Sequence, residues 1–247
     1  MRHTFRYVVG HDPADGEEIT LAEADSHHLA RVVRRRAGDE VEVITPGAAL
    51  IGCVVIDAGP PSVLRVTGPR RPGPQVPAVH LWVGLADAGR LDLVAEKAAE
   101  LGVVGLDVMV TARSRRVPDE RAWAKRTDRM ARVAEAAARQ SGRGTWASPG
   151  PLVPFDHVLD HIVPGQGVML DPREAAPLAD ILRTLPLEQP VTILVGPDTG
   201  FDDAEVAAAQ AAGVVTAGLG DGMLRAETAA IAAAVMATMG RDARGEG

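Results

Sequence analysis

The stretch Val191–Met239 constrains the fold most, because two apolar runs in it each end in a glycine-containing loop. The first run, Val191–Val195, enters the loop Gly196–Phe201, and the second, Val214–Leu219, enters a loop that starts at Gly220. Short apolar runs bounded by turn residues are typical of strands buried on both faces of a parallel sheet. Ligands of open α/β sheets bind outside the carboxyl ends of such strands, so the two loops predict a ligand site.

The chain divides by pattern into a β-rich first part and an alternating second part. Residues 1–71 hold short apolar runs separated by Gly, Pro and Asp, with one helix predicted at Ala22–Arg36. The segment Arg70–Pro77 contains three prolines and one glycine, which predicts a linker. We therefore expect two domains, residues 1–72 and 73–247.

Strands and helices alternate after this segment, which indicates a parallel sheet covered by helices. Besides the two runs above, the pattern predicts strands at Val79–Leu85, Val103–Val110 and Val168–Leu170 and helices at Leu91–Leu101, Asp119–Gln140 and Ala175–Leu185.

Composition argues against several classes of protein. The single Cys53 excludes an intramolecular disulfide and a cysteine-cluster zinc site, and its apolar neighbours predict a buried thiol. His27 and His28 are adjacent, so a helix would point them in different directions, and we expect no metal. No run of about 18 apolar residues occurs, so we expect no membrane span. The N-terminal residues lack the apolar core of a signal peptide, so we expect a cytoplasmic protein.

Charge is distributed unevenly along the chain. The net charge is −7, yet residues 113–143 hold ten Lys or Arg and four Asp or Glu, whereas residues 144–247 hold five and fourteen. A local basic belt can bind nucleic acid whatever the overall sign. The same pattern is also typical of a solvated helix surface, and charge alone does not decide between the two interpretations.

The sequence contains no P-loop, dinucleotide fingerprint, zinc-protease motif or nucleophile elbow. The loops at the strand ends are therefore the candidate functional feature. Three such loops, at Asp171, Gly196 and Gly220, offer main-chain groups that suit a neutral heteroaromatic ring such as adenine. Arg225 follows the third loop at a helix start, next to Glu227. It could form a salt bridge there or could stabilise negative charge that develops on a substrate.

The same residues resemble those of a known family, the RsmE-type small-subunit rRNA uridine-N3 methyltransferases of the SPOUT superfamily. The resemblance covers the whole chain and rests on motifs in a fixed order. These are His27-His28-Leu29, Glu96–Val103, Arg113-Ser114, Gln140-Ser141-Gly142-Arg143, Gly196–Phe201, Leu219-Gly220 and Leu224–Ala229.

The resemblance implies an α/β fold, namely a SPOUT methyltransferase domain with a parallel sheet and a C-terminal trefoil knot, preceded by a small PUA-like β-barrel. It implies a homodimer, S-adenosylmethionine as cofactor and a uridine of 16S rRNA in the small ribosomal subunit as substrate. Arg225 would be catalytic. The cofactor would be bound by Leu170, Val195, Gly196, Pro197, Asp198, Gly200, Leu219, Gly220, Met223 and Leu224. The RNA would be bound by Arg6, Arg34, Arg35, Arg36, Arg113, Arg115, Arg116 and Arg143.

The sequence departs from the family pattern at three loop positions. Asp198 stands where the family usually has Glu, Thr199 where it has Gly, and Gly222 where it has Arg. Two alternative functions stay open, a ribose 2′-O-methyltransferase of the same fold and an RNA-binding protein of ribosome assembly that does not methylate. The general base that would remove the uridine N3 proton also stays open between Asp198, Glu227 and solvent.

Overall fold

A computed structural model describes residues 5–45, 49–72, 78–114, 116–143, 146–174, 176–186 and 189–242. The chain forms two compact units. The first contains residues 1–75 together with 138–145, and the second contains residues 76–137 and 146–247.

The first unit is built on a curled sheet of five strands in the order β1-β3-β4-β5-β2. Its strands are β1 (Arg6–Val8), β2 (Glu18–Thr20), β3 (Glu40–Ile44), β4 (Ala49–Asp57) and β5 (Val63–Pro72). Strand β1 pairs in parallel with β3, and the other pairs are antiparallel. Alternate side chains of these strands enclose a core with Leu29 and Leu64 at its centre. Cys53 belongs to this core, and burial raises the pKa of its thiol to about 11.

The helix predicted at Ala22–Arg36 is shorter and irregular. Helix α1 (Glu23–His27) passes into one π-helical turn, residues 28–32, in which the Val33 amide donates to the carbonyl of His28. Arg34 then takes a left-handed φ of 54°, which ends the helix because a right-handed helix cannot contain that conformation. The prediction that the helix extends to Arg36 is therefore wrong, and Arg34, Arg35 and Arg36 all follow its end.

The predicted linker also begins later than expected. Arg70, Arg71 and Pro72 continue strand β5, because they pair with Ile51, Leu50 and Ala49 of β4. Proline is accommodated there at the last residue of the strand, where a missing N–H group costs little. The remainder of the predicted linker, residues 73–77, lies outside the described residues.

The second unit is an α/β fold with a six-stranded sheet in which every strand pair is parallel, as the sequence predicted. The strand order is β11-β9-β10-β6-β7-β8. The strands are β6 (Val79–Gly84), β7 (Gly105–Val110), β8 (Val153–Pro154), β9 (Gly167–Leu170), β10 (Val191–Val195) and β11 (Val215–Ala217). The helices are α2 (Ala88–Leu101), α3 (Glu120–Ser141), α4 (Phe155–Leu159), α5 (Leu178–Thr184), α6 (Asp203–Ala211) and α7 (Ala226–Asp242). The last turn of α3 is part of the first unit.

Local chemistry sets several of these boundaries. Helix α2 ends where Gly102 adopts a left-handed φ of 79°, the conformation that glycine takes most readily. Helix α5 begins at Leu178 and not near residue 175, because Pro177 is extended and forms a bridge with Gly218. No helix in the described part of the chain is long and apolar enough to cross a membrane.

Strand order brings three strand ends together. In the sheet Leu170 at the end of β9 pairs with Val195 at the end of β10 and with Ala217 at the end of β11. Helix α7 then returns from the edge strand to pack on α2, β6 and β10. The loops that follow β9, β10 and β11 therefore lie side by side at one edge of the second unit.

Candidate active site

The three loops and the start of α7 enclose a cavity of about 640 Å³. This volume is in the range of small-molecule sites in proteins. All ten residues that the sequence predicted as cofactor ligands line it, namely Leu170, Val195, Gly196, Pro197, Asp198, Gly200, Leu219, Gly220, Met223 and Leu224. Seven further residues complete the wall together with Arg113 and were not among the predicted cofactor ligands, namely Asp171, Pro172, Thr199, Ala217, Gly222, Ala226 and Ala229.

Glycine allows the backbones around the cavity to approach closely. A Cβ atom added at Gly84, the last residue of β6, would lie 2.5 Å from both the nitrogen and the Cδ of Pro197. That distance is shorter than any normal carbon contact, so Gly84 has to remain glycine for the loop after β10 to lie where it does.

The threonine that replaces a family glycine fits the loop. Gly200 has a left-handed φ of 68°, whereas Thr199 does not have a positive φ. Thr199 instead supplies its carbonyl oxygen to the Arg113 guanidinium at 2.7 Å. The β-branched side chain of Thr199 is therefore tolerated, because the left-handed conformation is adopted by Gly200 and not by Thr199.

Two acidic side chains of the wall are each paired with an arginine. Asp171 is buried, and Arg173 donates to both of its carboxylate oxygens at 2.7–3.1 Å, which lowers the pKa of Asp171 below the ordinary value of 3.8. Arg173 also donates to Asp203 at 2.6 Å and so joins the loop after β9 to the start of α6. Asp198 is half-exposed and forms an ion pair with Arg90.

Replacing Asp171 with asparagine is expected to lower the free energy of unfolding at neutral pH by about 1–3 kcal/mol, because charge-assisted hydrogen bonds to Arg173 are lost. The folded-state pKa lies below the unfolded value, so this stabilisation is present above pH 3.8 and is lost as pH falls through the folded-state pKa. Urea unfolding of both proteins between neutral pH and acid tests this. Asp180→Asn, which removes an exposed pair with Arg183, is the control and should change stability by less than about 0.5 kcal/mol. A difference for Asp171→Asn that stays constant into acid would contradict the prediction.

Arg90, Asp198 and Glu227 form a charged cluster at the start of α7. Arg90 lies 3.8 Å from a Glu227 carboxylate oxygen, and the Ala226 amide lies 3.5 Å from an Asp198 oxygen. The same Glu227 oxygen is buried and accepts no hydrogen bond within the described residues. The cluster connects the first helix of the second unit, the loop after β10 and the last helix.

Arg225 lies immediately beside the cavity but is not part of its wall. Its neighbours Leu224 and Ala226 both line the cavity, and Arg225 itself is exposed. Its guanidinium makes no hydrogen bond or ion pair with any described residue, so the salt bridge considered from the sequence is not formed there. Glu227 does lie in the first turn of α7, as predicted.

Of the seven predicted RNA-binding arginines that the structure describes, only Arg113 lines the cavity. Arg34, Arg36 and Arg116 are exposed, and Arg115 lies outside the described residues. In the first unit Arg6 donates to Glu42 at 2.9 Å, and the Arg35 guanidinium lies 5.0 Å from the centre of the Phe5 ring. Arg143 is partly buried.

A parallel sheet with a loop-lined cavity at its strand ends is the arrangement in which open α/β proteins bind their ligands. The family model described as RNA methyltransferase domain matches residues 74–238. The chain therefore belongs to the RNA methyltransferase family.

The individual relatives that resemble this chain are methyltransferases by name. Ribosomal RNA small subunit methyltransferase E of Bacillus subtilis is 27% identical over 224 residues, which are 87% of this chain and 84% of the relative. The protein of the same name from Synechocystis is 27% identical over 232 residues, which are 91% and 74% of the two chains. The crystal structure of ribosomal RNA small subunit methyltransferase E from Neisseria gonorrhoeae bound to S-adenosyl methionine has the same fold, with a TM-score of 0.81 at 22% identity over 94% of this chain and 96% of that one.

Proposed function

We propose that this protein uses S-adenosylmethionine to methylate N3 of a specific uridine in 16S rRNA of the small ribosomal subunit. The observation that carries the proposal is the cavity, whose wall contains all ten residues expected to bind the cofactor. The two curated relatives are small-subunit rRNA methyltransferases by name, and they match most of this chain.

The cavity suits S-adenosylmethionine in its chemistry. Leu170, Val195, Leu219 and Leu224 provide an apolar surface for an adenine ring, and the glycines at positions 196 and 220 leave main-chain groups open to its polar edge. Asp171 and Asp198 add carboxylate oxygens to the wall, each paired with an arginine that lies outside it. When it is bound, the cofactor supplies an electrophilic methyl group.

Arg225 is the residue that we propose for catalysis. Uridine N3 carries a proton, and its removal spreads negative charge to the two neighbouring carbonyl oxygens. A guanidinium beside the cavity, without an acidic partner among the described residues, can stabilise that charge as it develops. The candidates for the base are Asp198 and Glu227, both of which lie beside Arg90, and solvent.

The finer features of the fold belong to the same proposal. We propose that residues 1–72 form a PUA-like RNA-binding barrel and that residues 73–247 form a SPOUT domain with a C-terminal trefoil knot. The path of the chain from the edge strand β11 back to the centre of the sheet through α7 supports the knot. We also propose a homodimer and a cytoplasmic location, where ribosomal subunits are assembled.

Basic side chains outside the cavity would hold the RNA backbone. Phosphate contacts position an enzyme on RNA without reading its sequence, and arginine suits them because its fork of donors matches phosphate oxygens. The proposed contacts are Arg6, Arg34, Arg35, Arg36, Arg115, Arg116 and Arg143. The target base would leave its stack to reach the cavity.

Mapping methylated nucleosides in 16S rRNA tests the function directly. Small subunits from cells that lack the protein are expected to carry an unmethylated uridine, which the purified protein and S-adenosylmethionine convert to 3-methyluridine. Mass spectrometry of the digested RNA separates this product from a 2′-O-methylated ribose, which would support the first alternative function. Calorimetric titration with S-adenosylmethionine tests the second, because a protein that only binds RNA would show no binding heat.

A further inference from the structure

Arg113 differs from the other basic residues because it forms part of the cavity wall. Among the described lining residues it is the only basic side chain, and Asp171 and Asp198 are the acidic ones. Both acids are neutralised by arginines that do not line the cavity, Arg173 and Arg90. Arg113 donates to the neutral carbonyl oxygen of Thr199 and forms no ion pair within the described part of the chain. The wall therefore carries one positive charge that forms no ion pair with a described residue, although it helps Arg173 to lower the pKa of the exposed Asp203 carboxyl at the start of α6.

The turn that carries Arg113 is fixed from two sides. Within the turn, the Thr111 amide donates to the Ser114 hydroxyl oxygen at 2.9 Å. From outside, the Ala112 amide donates to a carboxylate oxygen of Glu205 at 2.7 Å, and the other oxygen of Glu205 accepts from the Asp202 amide at 2.9 Å. Glu205 is buried, so this support is shielded from water. The Arg113 backbone is thus held in place before any ligand binds, which lowers the entropic cost of using its side chain.

The chemistry of the free guanidinium points to an oxyanion. Arginine has five N–H donors, of which Thr199 takes one, and the remaining donors match the two oxygens of a carboxylate. In S-adenosylmethionine the carboxylate of the methionyl group is the only anionic group, whereas the sulfonium and ammonium groups are cationic. Arg113 attracts the first and repels the other two.

We propose that Arg113 binds the carboxylate of the cofactor and thereby fixes the orientation of its methionyl group in the cavity. This inference rests on the proposed function, because it assumes that S-adenosylmethionine is the ligand. It assigns Arg113 to the cofactor. The sequence, in contrast, predicts that Arg113 binds the RNA together with the other arginines of the basic belt.

Isothermal titration of the full-length protein with S-adenosylmethionine and with decarboxylated S-adenosylmethionine tests the assignment. The native protein is expected to bind the cofactor about 10- to 100-fold more tightly than the analogue, the range for losing a charge-assisted contact. In Arg113→Met this preference should fall to within about threefold, because affinity for the cofactor drops while affinity for the analogue barely changes. Arg113→Lys keeps the charge but not the fork and should give an intermediate preference. Arg183→Met, at an exposed surface arginine outside the cavity wall, should keep the full preference.

Three results would overturn the inference. Equal weakening of both ligands in Arg113→Met would mean that the arginine only holds the loop of Thr199. Unchanged cofactor binding with weaker binding of a 16S rRNA fragment would mean that its ligand is an RNA phosphate. If the native protein binds the cofactor and methylates rRNA but binds the decarboxylated analogue equally well, the inference is wrong and the proposed function still stands. A native protein that binds neither ligand refutes the proposed function itself.

Discussion

Replacing Arg225 with alanine is expected to slow single-turnover methylation of rRNA by about 100- to 1,000-fold, the usual effect of removing one group that stabilises transition-state charge. The affinity for S-adenosylmethionine should change by less than about threefold, because Arg225 lies beside the cavity and not in its wall. The rate is measured at saturating cofactor with the protein in excess over small subunits, and the affinity is measured separately by calorimetry.

The control for this experiment is Arg183→Ala, which removes an exposed arginine of the same unit that lies outside the cavity wall. It should leave the single-turnover rate unchanged. Arg225→Lys keeps the charge and should recover part of the rate, which a purely structural role would not predict. An undiminished rate for Arg225→Ala at saturating cofactor would remove Arg225 from the mechanism.

The second large effect is expected from Gly84→Ala. The added methyl group would lie 2.5 Å from the Pro197 backbone nitrogen, so the loop after β10 has to move. We expect the free energy of unfolding to fall by about 3 kcal/mol, the upper range for overpacking in a protein core. The protein that remains folded should bind S-adenosylmethionine at least about tenfold more weakly, because the displaced loop contributes part of the cavity wall.

Gly89→Ala, five residues further along the chain, supplies a matched control. Gly89 lies in helix α2, and a Cβ atom added there meets no atom within 4 Å. This substitution should raise stability by about 0.5 kcal/mol, because alanine favours a helix more than glycine does, and should leave cofactor affinity unchanged. If Gly84→Ala were as well tolerated as Gly89→Ala, the packing of Pro197 on β6 would not constrain the site. Urea unfolding and calorimetry measure both quantities.

The strands of the site could be predicted because they are uniformly apolar and end at turn residues. Strand β10 has the predicted bounds, Val191–Val195. A strand that is buried on both faces is apolar along its whole length, so the turn residues that flank it mark its ends. The rule that ligands bind at the carboxyl ends of parallel strands then indicated the loops, and these loops line the cavity. The end of helix α2 was equally clear, because Gly102 cannot be replaced cheaply at a left-handed position.

Contacts between distant residues could not be predicted in the same way. Arg113 reaches Thr199 across 86 positions of sequence, and Arg90 reaches Asp198 across 108. Nothing in the local pattern distinguishes Arg113 from the other arginines of the basic belt, so it was assigned with them. The first helix ends early because Arg34 adopts a left-handed conformation, which the residue type at this position does not predict.

The walls of the cavity come from widely separated parts of the chain, from Arg113 to Ala229, and the final wall segment belongs to the start of α7. A chain that is still being synthesised therefore has no complete cavity until residue 229 has left the ribosome and α7 has packed on β6 and β10. Ligand binding can therefore stabilise this protein only once α7 has packed, and the earlier steps of folding proceed without that contribution.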